Sequence, residues 1–379
     1  METSQLGLLS EHFARLPDPR VDRTKRHLLL DIVVIAVCAV ICGADTWVDI
    51  EEYGRAKYEW LKRFLPLPHG IPSHDTFARV FARLAPEAFR TCFLAWLSQV
   101  QERIGGPLAG QLVAIDGKAA RHSFHRAIDR GPLHMVSAWA TASHLVLGQI
   151  AVEQKSNEIT AIPTLLQLLE LSGCIVTIDA MGTQKEIAKT IIEQEADYVL
   201  ALKGNQGTLH EDVALLFEWA DTQQYRDIVH QTYETHNTGH GREERRRTTV
   251  TNDIAGLRGY EDWVGLQTIA MVEAWRTQGD VVSYERRYYI SSLGVDAKQM
   301  AESVRGHWAI ENALHWVLDI AFREDDSRIR KGHAPENFAM LRHIALNLLK
   351  QEKTSRHSVK VKRNRAGWDN NYLLTVLGI

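Results

Sequence analysis

QLVAIDG at residues 111–117 and CIVTIDA at residues 174–180 are the two stretches that decide the fold of this 379-residue chain. Each is a short apolar run ending in an acid, Asp116 or Asp179. Runs of this length and character suit strands buried on both faces. Two further strand-like runs, 133–142 and 145–153, are joined by a tight turn around Ser143 and His144. Residues 159–171 read as a helix, with Pro163 suited to a first turn. Residues 183–196 read as a second helix and 197–203 as a strand. Strands alternating with helices predict an α/β sheet with parallel members.

The pattern differs on either side of this core. Upstream, residues 28–42, 47–64, 74–84 and 86–102 carry helical apolar periods separated by Gly43, Pro66, Pro68, Gly70 and Pro72. Ser73 has the position of a helix N-cap. These features predict an all-helical region over 1–106. The run LLLDIVVIAVCAVIC at 28–42 is short for a bilayer span and holds Asp31, so it reads as a buried helix with no membrane role. Downstream, the Tyr-, Thr- and Val-rich runs of 225–293 predict a β-rich insertion between core segments 107–224 and 294–350. A basic tail follows at 351–379. Lys353, Arg356, Lys360, Lys362, Arg363 and Arg365 stand there with no acid between them.

Composition narrows the class. Hydrophobic residues make up 45% and charged residues 24%, which excludes a disordered or disulfide-scaffold chain. Four scattered cysteines without a CxxC pair give no zinc ribbon and suit a reducing cytoplasm. The net charge of −3 neither demands nor excludes a nucleic-acid partner, because contacts depend on where the cations sit.

Ligands of open α/β sheets gather at the carboxyl ends of strands. Two strands ending in aspartate there can share one crevice. Unpaired neighbouring carboxylates repel, so one takes a proton or a divalent cation sits between them. The bland alternative is that either aspartate caps the following turn. A hard cation on few oxygen ligands suits Mg²⁺. A third acid is expected, and Glu311 in HWAIENALHWVLDI is the best candidate. It borders the stripe formed by Ile310, Leu314, Val317 and Leu318; its alternative is a salt bridge to Arg305. His307, Glu311 and His315 are spaced four apart but lack the HExxH order of a zinc site. His315 then reads as a packed or DNA-proximal histidine, and Trp308 and Trp316 as core. Lys203 ends a strand on the edge of the two aspartates, where it can meet a phosphate. Arg242, Arg245, Arg246 and Arg247 cluster in the β-rich segment, diluted by Glu243 and Glu244.

AIDGKAAR (114–121), KSNEITAIPTLL (155–166), TIDAMGTQKEIA (177–188), YVLALKGNQ (198–206) and RGHWAIENALHWVLDIAFRED (305–325) together resemble the DDE transposases of bacterial insertion sequences. Within them, the nearest branch includes the H-repeat-associated proteins. DPR at 18–20 and IPSHDTFARVF at 71–81 extend the resemblance over nearly the whole chain. It implies a ribonuclease-H-like catalytic domain and an acid triad of Asp116, Asp179 and Glu311 on two Mg²⁺ ions, with Mn²⁺ as a substitute. Related transposases often carry a tyrosine, an arginine and a lysine around the glutamate. Those positions are Val304, His307 and Leu318 here, so His307 would stand in as a phosphate contact.

The function so implied is metal-dependent cleavage at the ends of a mobile element and joining of the freed 3′-hydroxyl to target DNA. Two ions ~4 Å apart would clamp the attacking and leaving oxygens. Region 1–106 would read the terminal inverted repeats, with 74–84 as the candidate recognition helix. Lys203, Arg242, Arg245, His307 and the tail would add backbone contacts whose strength falls with salt. Cutting two ends in register implies a homodimer on DNA, in the cytoplasm with the nucleoid. The rival readings are a nuclease that cuts without joining and a decayed DNA-binding remnant.

Overall fold

The structure, a computed structural model, describes residues 5–104, 109–120, 133–152, 158–239 and 241–378. The first hundred residues are helical, as their periodicity predicts. They form α1 (Gln5–Phe13), α2 (Leu29–Ile41), α3 (Trp47–Ala56), α4 (Tyr58–Leu61), α5 (His74–Arg83) and α6 (Pro86–Ile104). Every side chain of α2 from Ile32 to Ile41 is buried. A helix apolar on all sides belongs in a core. Among the described residues no helix is long and apolar enough to cross a membrane. A capping box between Thr46 and Asp49 starts α3. Ser73 does stand at the N-cap of α5, but its hydroxyl makes no capping bond and meets Thr76 Oγ1 at 3.2 Å instead.

The chain then forms β1 (Leu112–Ala120), β2 (Leu133–Ala140), β3 (Leu145–Val152), α7 (Glu158–Gln167), β4 (Ile175–Ile178), α8 (Lys185–Glu193) and β5 (Asp197–Leu202). That is the strand and helix order expected from the sequence. Pro163 lies in the interior of α7, not in its first turn. A helix absent from the sequence reading, α9 (Gly207–Thr222), leads to β6 (His230–Gly239), β7 (Arg242–Thr251), β8 (Thr268–Gln278) and β9 (Val281–Ser291). All nine strands join one sheet in the order β3-β2-β1-β4-β5-β9-β8-β7-β6. β1, β4 and β5 run parallel. The β-rich segment is therefore not a separate sheet: β9 pairs antiparallel with β5 from Val199↔Ser291 to Leu202↔Tyr288 and extends the core.

Helix returns with α10 (Ala297–His307), a π-helical turn at Glu311–His315, and α11 (Trp316–Phe322). α10 lies across β1, β4, β5, β6 and β7. Gly306 permits that approach, since a Cβ there would fall 2.2 Å from Leu112 Cδ2. α12 (Ala334–Gln351) packs on α2, and α13 (Val359–Trp368) and α14 (Asn370–Val376) close the chain. The basic tail is thus folded, and two of its cations face inward. Lys362 Nζ donates to Leu349 O at 3.1 Å and pairs with Glu352 at 3.2 Å. Arg363 donates to Val40 O at 2.8 Å and pairs with Asp45 at 3.3 Å. Neither is available to a partner.

Candidate metal centre

β1 and β4 are neighbours in the register Ile115↔Ile178. Asp116 and Asp179 therefore follow at the same level on strands about 4.8 Å apart. Asp179 lies just past the end of β4, as expected. Asp116 does not end its strand: β1 continues to Ala120 along β2, with Asp116↔Ser137 in register. The register sets the two aspartates side by side, although β4 stops there and β1 does not. Gly117 fits here because a Cβ would lie 2.5 Å from the Glu158 carboxyl carbon under the strand. Asp179 Oδ1 accepts the backbone N–H groups of Met181 and Gly182 at 3.1 and 3.2 Å. It caps its turn with one oxygen and leaves the other to the cleft.

The π-helical turn brings the third acid. π-turns are rare insertions in helices and often mark functional positions. Here Glu311 begins the turn and His315 ends it, and the stripe Ile310, Leu314, Val317 and Leu318 is buried beneath, as its spacing predicts. His315 is buried, with Nδ1 3.5 Å from Asp116 Oδ2 and 3.6 Å from Glu311 Oε2. One ligand atom from each of Asp116, Glu311 and His315 lies within 4.8 Å of the others, a grouping able to hold a metal ion. Asp179 falls outside that grouping but lines the same cleft, of about 280 Å³, with Lys203, His307 and Trp308.

Electrostatics follow from this crowding. Burial pushes the Asp116 carboxyl up to about 7; the His315 ring opposes the rise, while Glu311 and Asp179 add to it. Glu311 is held below the usual carboxylate range, chiefly by the His315 ring beside it. Burial lowers the His307 pKa, and its Nδ1 lies 2.9 Å from Thr177 Oγ1. Burial thus disfavours the charged form of the His307 ring, while the nearby Asp179 and Glu311 carboxylates favour it. Leu318, the position at which the resemblance looks for a lysine, is buried.

The surrounding cations divide by sheet face. A groove of about 700 Å³ runs from Glu311 between α10 and the strands β6–β9, and Arg242, Arg246 and Arg287 line it. Arg245 points to the opposite face, as strand alternation requires. There it pairs with Glu234 at 3.0 Å and lies over the Trp275 ring. Trp308 and Trp316 are not core: they are 44% and 59% exposed. Arg287 covers the Trp308 ring at 4.9 Å.

Two site residues escaped the sequence reading. His315 was visible in the His307–Glu311–His315 spacing but was set aside with zinc. Lys118 carried a signal in its place two residues after Asp116, on the same strand face. Its Nζ meets Asp319 at 2.5 Å, Glu324 at 2.9 Å and Asp325 at 3.5 Å, tying β1 to the end of α11.

Comparison with known proteins identifies the class: the chain belongs to the DDE transposase family. The family model described as Transposase DDE domain matches residues 107–348, and that of its associated domain matches 10–97. Over 373 residues the chain is 41% identical to "Putative transposase YncI" of Escherichia coli O157:H7, covering 97% of this chain and 94% of that protein. Over 378 residues it is 39% identical to "H repeat-associated putative transposase YhhI" of Escherichia coli K12, covering 98% of both. A Xanthobacter autotrophicus protein described only as uncharacterized is 47% identical over 285 residues, 75% of this chain and 94% of its own length. The H-repeat-associated branch expected from the motifs is represented among these relatives by YhhI.

Proposed function

We propose that the chain is a divalent-metal-dependent transposase that cuts double-stranded DNA at the ends of its element and joins the freed 3′ ends to target DNA. The observation that carries this reading is the convergence of Asp116, Asp179 and Glu311 on one cleft from three separate elements. The donor set suits a hard cation: three carboxylates, with one histidine nitrogen beside them. Asp116, Glu311 and His315 would hold it closest, with the second oxygen of Asp179 reaching from the neighbouring strand. Bound Mg²⁺ would supply Lewis-acid activation of the phosphate and of the attacking water or hydroxyl.

The chain's own groups then have distinct roles. Asp116, whose carboxyl burial pushes up, would be held as a carboxylate by a bound cation. Exposed Lys203, on the cleft wall, neutralises a phosphate of the strand being cut. His307 donates a hydrogen bond. Arg242 serves the groove leading to Glu311, and the DNA runs as a duplex between two copies of the chain. Arg245 contributes only through the far face.

The test is cleavage of a labelled duplex carrying the DNA that flanks this gene. Cuts at a defined position that require Mg²⁺ and disappear in Asp116→Asn are expected, with DNA binding retained. Joining of pre-cleaved ends separates a transposase from a nuclease. Equal nicking by Asp116→Asn would refute the triad, and binding without cleavage by the wild type would favour a decayed remnant.

A further inference from the structure

α11 ends at Phe322 because Arg323 takes a left-handed backbone conformation, φ 50°, that turns the chain out of the helix. The segment that follows is seated on α5, in the other family-matched region. The His333 N–H donates to Ala82 O at 3.1 Å. Gly332 has φ 53°, and a Cβ there would fall 2.4 Å from the same carbonyl oxygen. Between this segment and the first turns of α3 and α5 lies a cavity of about 760 Å³. Trp47, stacked on Phe81 at 5.1 Å, contributes to its lining, as do Arg328 and Lys331.

The charges around this cavity are unevenly matched. Arg323 is paired with Asp326 at 3.2 Å, Asp45 with Arg363 at 3.3 Å, and His74 with Glu51 at 2.6 Å. Exposed Arg328 and Lys331 make no ion pair among the described residues. Arg79 and Arg83 stand exposed four residues apart on α5, next to the seat of the loop. A guanidinium and an ammonium held on a fixed loop, without an internal acid, suit the oxygens of a phosphodiester backbone.

We propose that loop 323–333, seated on α5, is a DNA-backbone docking site separate from the acid cleft, contacting phosphates through Arg328 and Lys331. This rests on the DNA-cutting reading above. The helix α11 joins the two sites. From Glu311 to Phe322 the chain rises about 17 Å. The site therefore links the helical region that would recognise an end to the helix that carries Glu311.

The experiment uses the full chain and two duplexes of equal length, one with the flanking DNA of the gene and one of random sequence. Anisotropy titrations over a salt series compare wild type with R328A/K331A. Each phosphate contact contributes a slope of about 0.9 in log K against log salt, so the double variant should lose about 1.8 on both duplexes. K331A alone should lose about half of that, and R328K/K331R should restore it. Methylphosphonates placed one at a time along the flank of the cut should weaken wild type at one position and leave R328A/K331A unchanged there. An unaltered slope in a variant with the wild-type unfolding midpoint overturns the proposal. A wild type that neither binds nor cleaves either duplex removes the DNA-cutting reading itself, which is a different result.

Discussion

Replacing Lys118 by Met keeps the length of the side chain and removes its charge. Three carboxylates then lose their shared cation. Glu324 suffers most, since the Lys118 and Glu324 side chains are 12% and 7% exposed. Burial pushes the Glu324 carboxyl up, and Lys118 and Arg342 more than offset it, holding it at about 2. In the variant the ion pair to Arg342, 3.6 Å away, remains among the described residues. Removing one partner of a buried pair costs about 3–5 kcal/mol. Asp319 and Asp325 are more open and can turn to water, so a loss near 3 kcal/mol is expected at pH 7. The pH dependence has a definite sign. The stability contributed by a depressed carboxyl is present above its unfolded pKa and disappears as pH falls through the folded one. The deficit should therefore be nearly whole at pH 7 and clearly smaller at pH 3, because Glu324 loses it only as pH falls from about 4.5 toward 2. Urea unfolding at both pH values measures this, and Lys118→Met/Glu324→Gln should recover much of the loss. A variant within about 1 kcal/mol of wild type at pH 7, with no pH dependence of the difference, would refute the argument that this lysine ties the Asp116 strand to the Glu311 helix.

Other perturbations have equally definite outcomes. Gly332→Ala places a Cβ against the Ala82 carbonyl oxygen in a left-handed conformation, so the unfolding free energy should fall by about 1–3 kcal/mol. His343 is fully buried and its pKa is pushed down to about 4. Stability should fall by about 3 kcal/mol as pH drops from 6.5 to 4, because only the unfolded chain takes up that proton; in His343→Leu that part of the acid slope should vanish in a pH series of urea melts. His315→Ala should weaken Mn²⁺ binding, read by electron paramagnetic resonance of the free ion, by about 10- to 100-fold. Unchanged affinity would remove His315 from the donor set.

The helical start and the strand–helix alternation were legible because apolar period is a local signal. So was the neighbourhood of the two aspartates, since each closes an apolar run whose length suits a buried strand. What stayed hidden depends on pairing at a distance. The register Ile115↔Ile178 sets Asp116 beside Asp179, but no residue in either strand encodes it. The joining of β9 to β5 brings together segments about ninety residues apart, so 225–293 read as a separate insertion. The opposite facings of Arg242 and Arg245 follow from β-strand parity, which a cluster of arginines does not reveal. The tail read as a free basic run because charge alone does not show that Lys362 and Arg363 end on buried carbonyl oxygens. α9 was missed where Glu211, Asp212, Glu218 and Asp221 dilute its apolar period.

The burial of α2 has a consequence for synthesis. Its apolar surface is covered in part by α12, whose last residue, Gln351, emerges about three hundred residues later. At about 5–20 residues per second, the ribosome leaves that surface without its cover for roughly 15–60 seconds. Arg363, donating to the Val40 carbonyl oxygen, ties the end of α2 to a still later segment. A copy interrupted by a stop codon before α12 therefore yields more than an incomplete enzyme. It yields a chain with a permanently uncovered apolar helix, which chaperones would hold and proteases would clear.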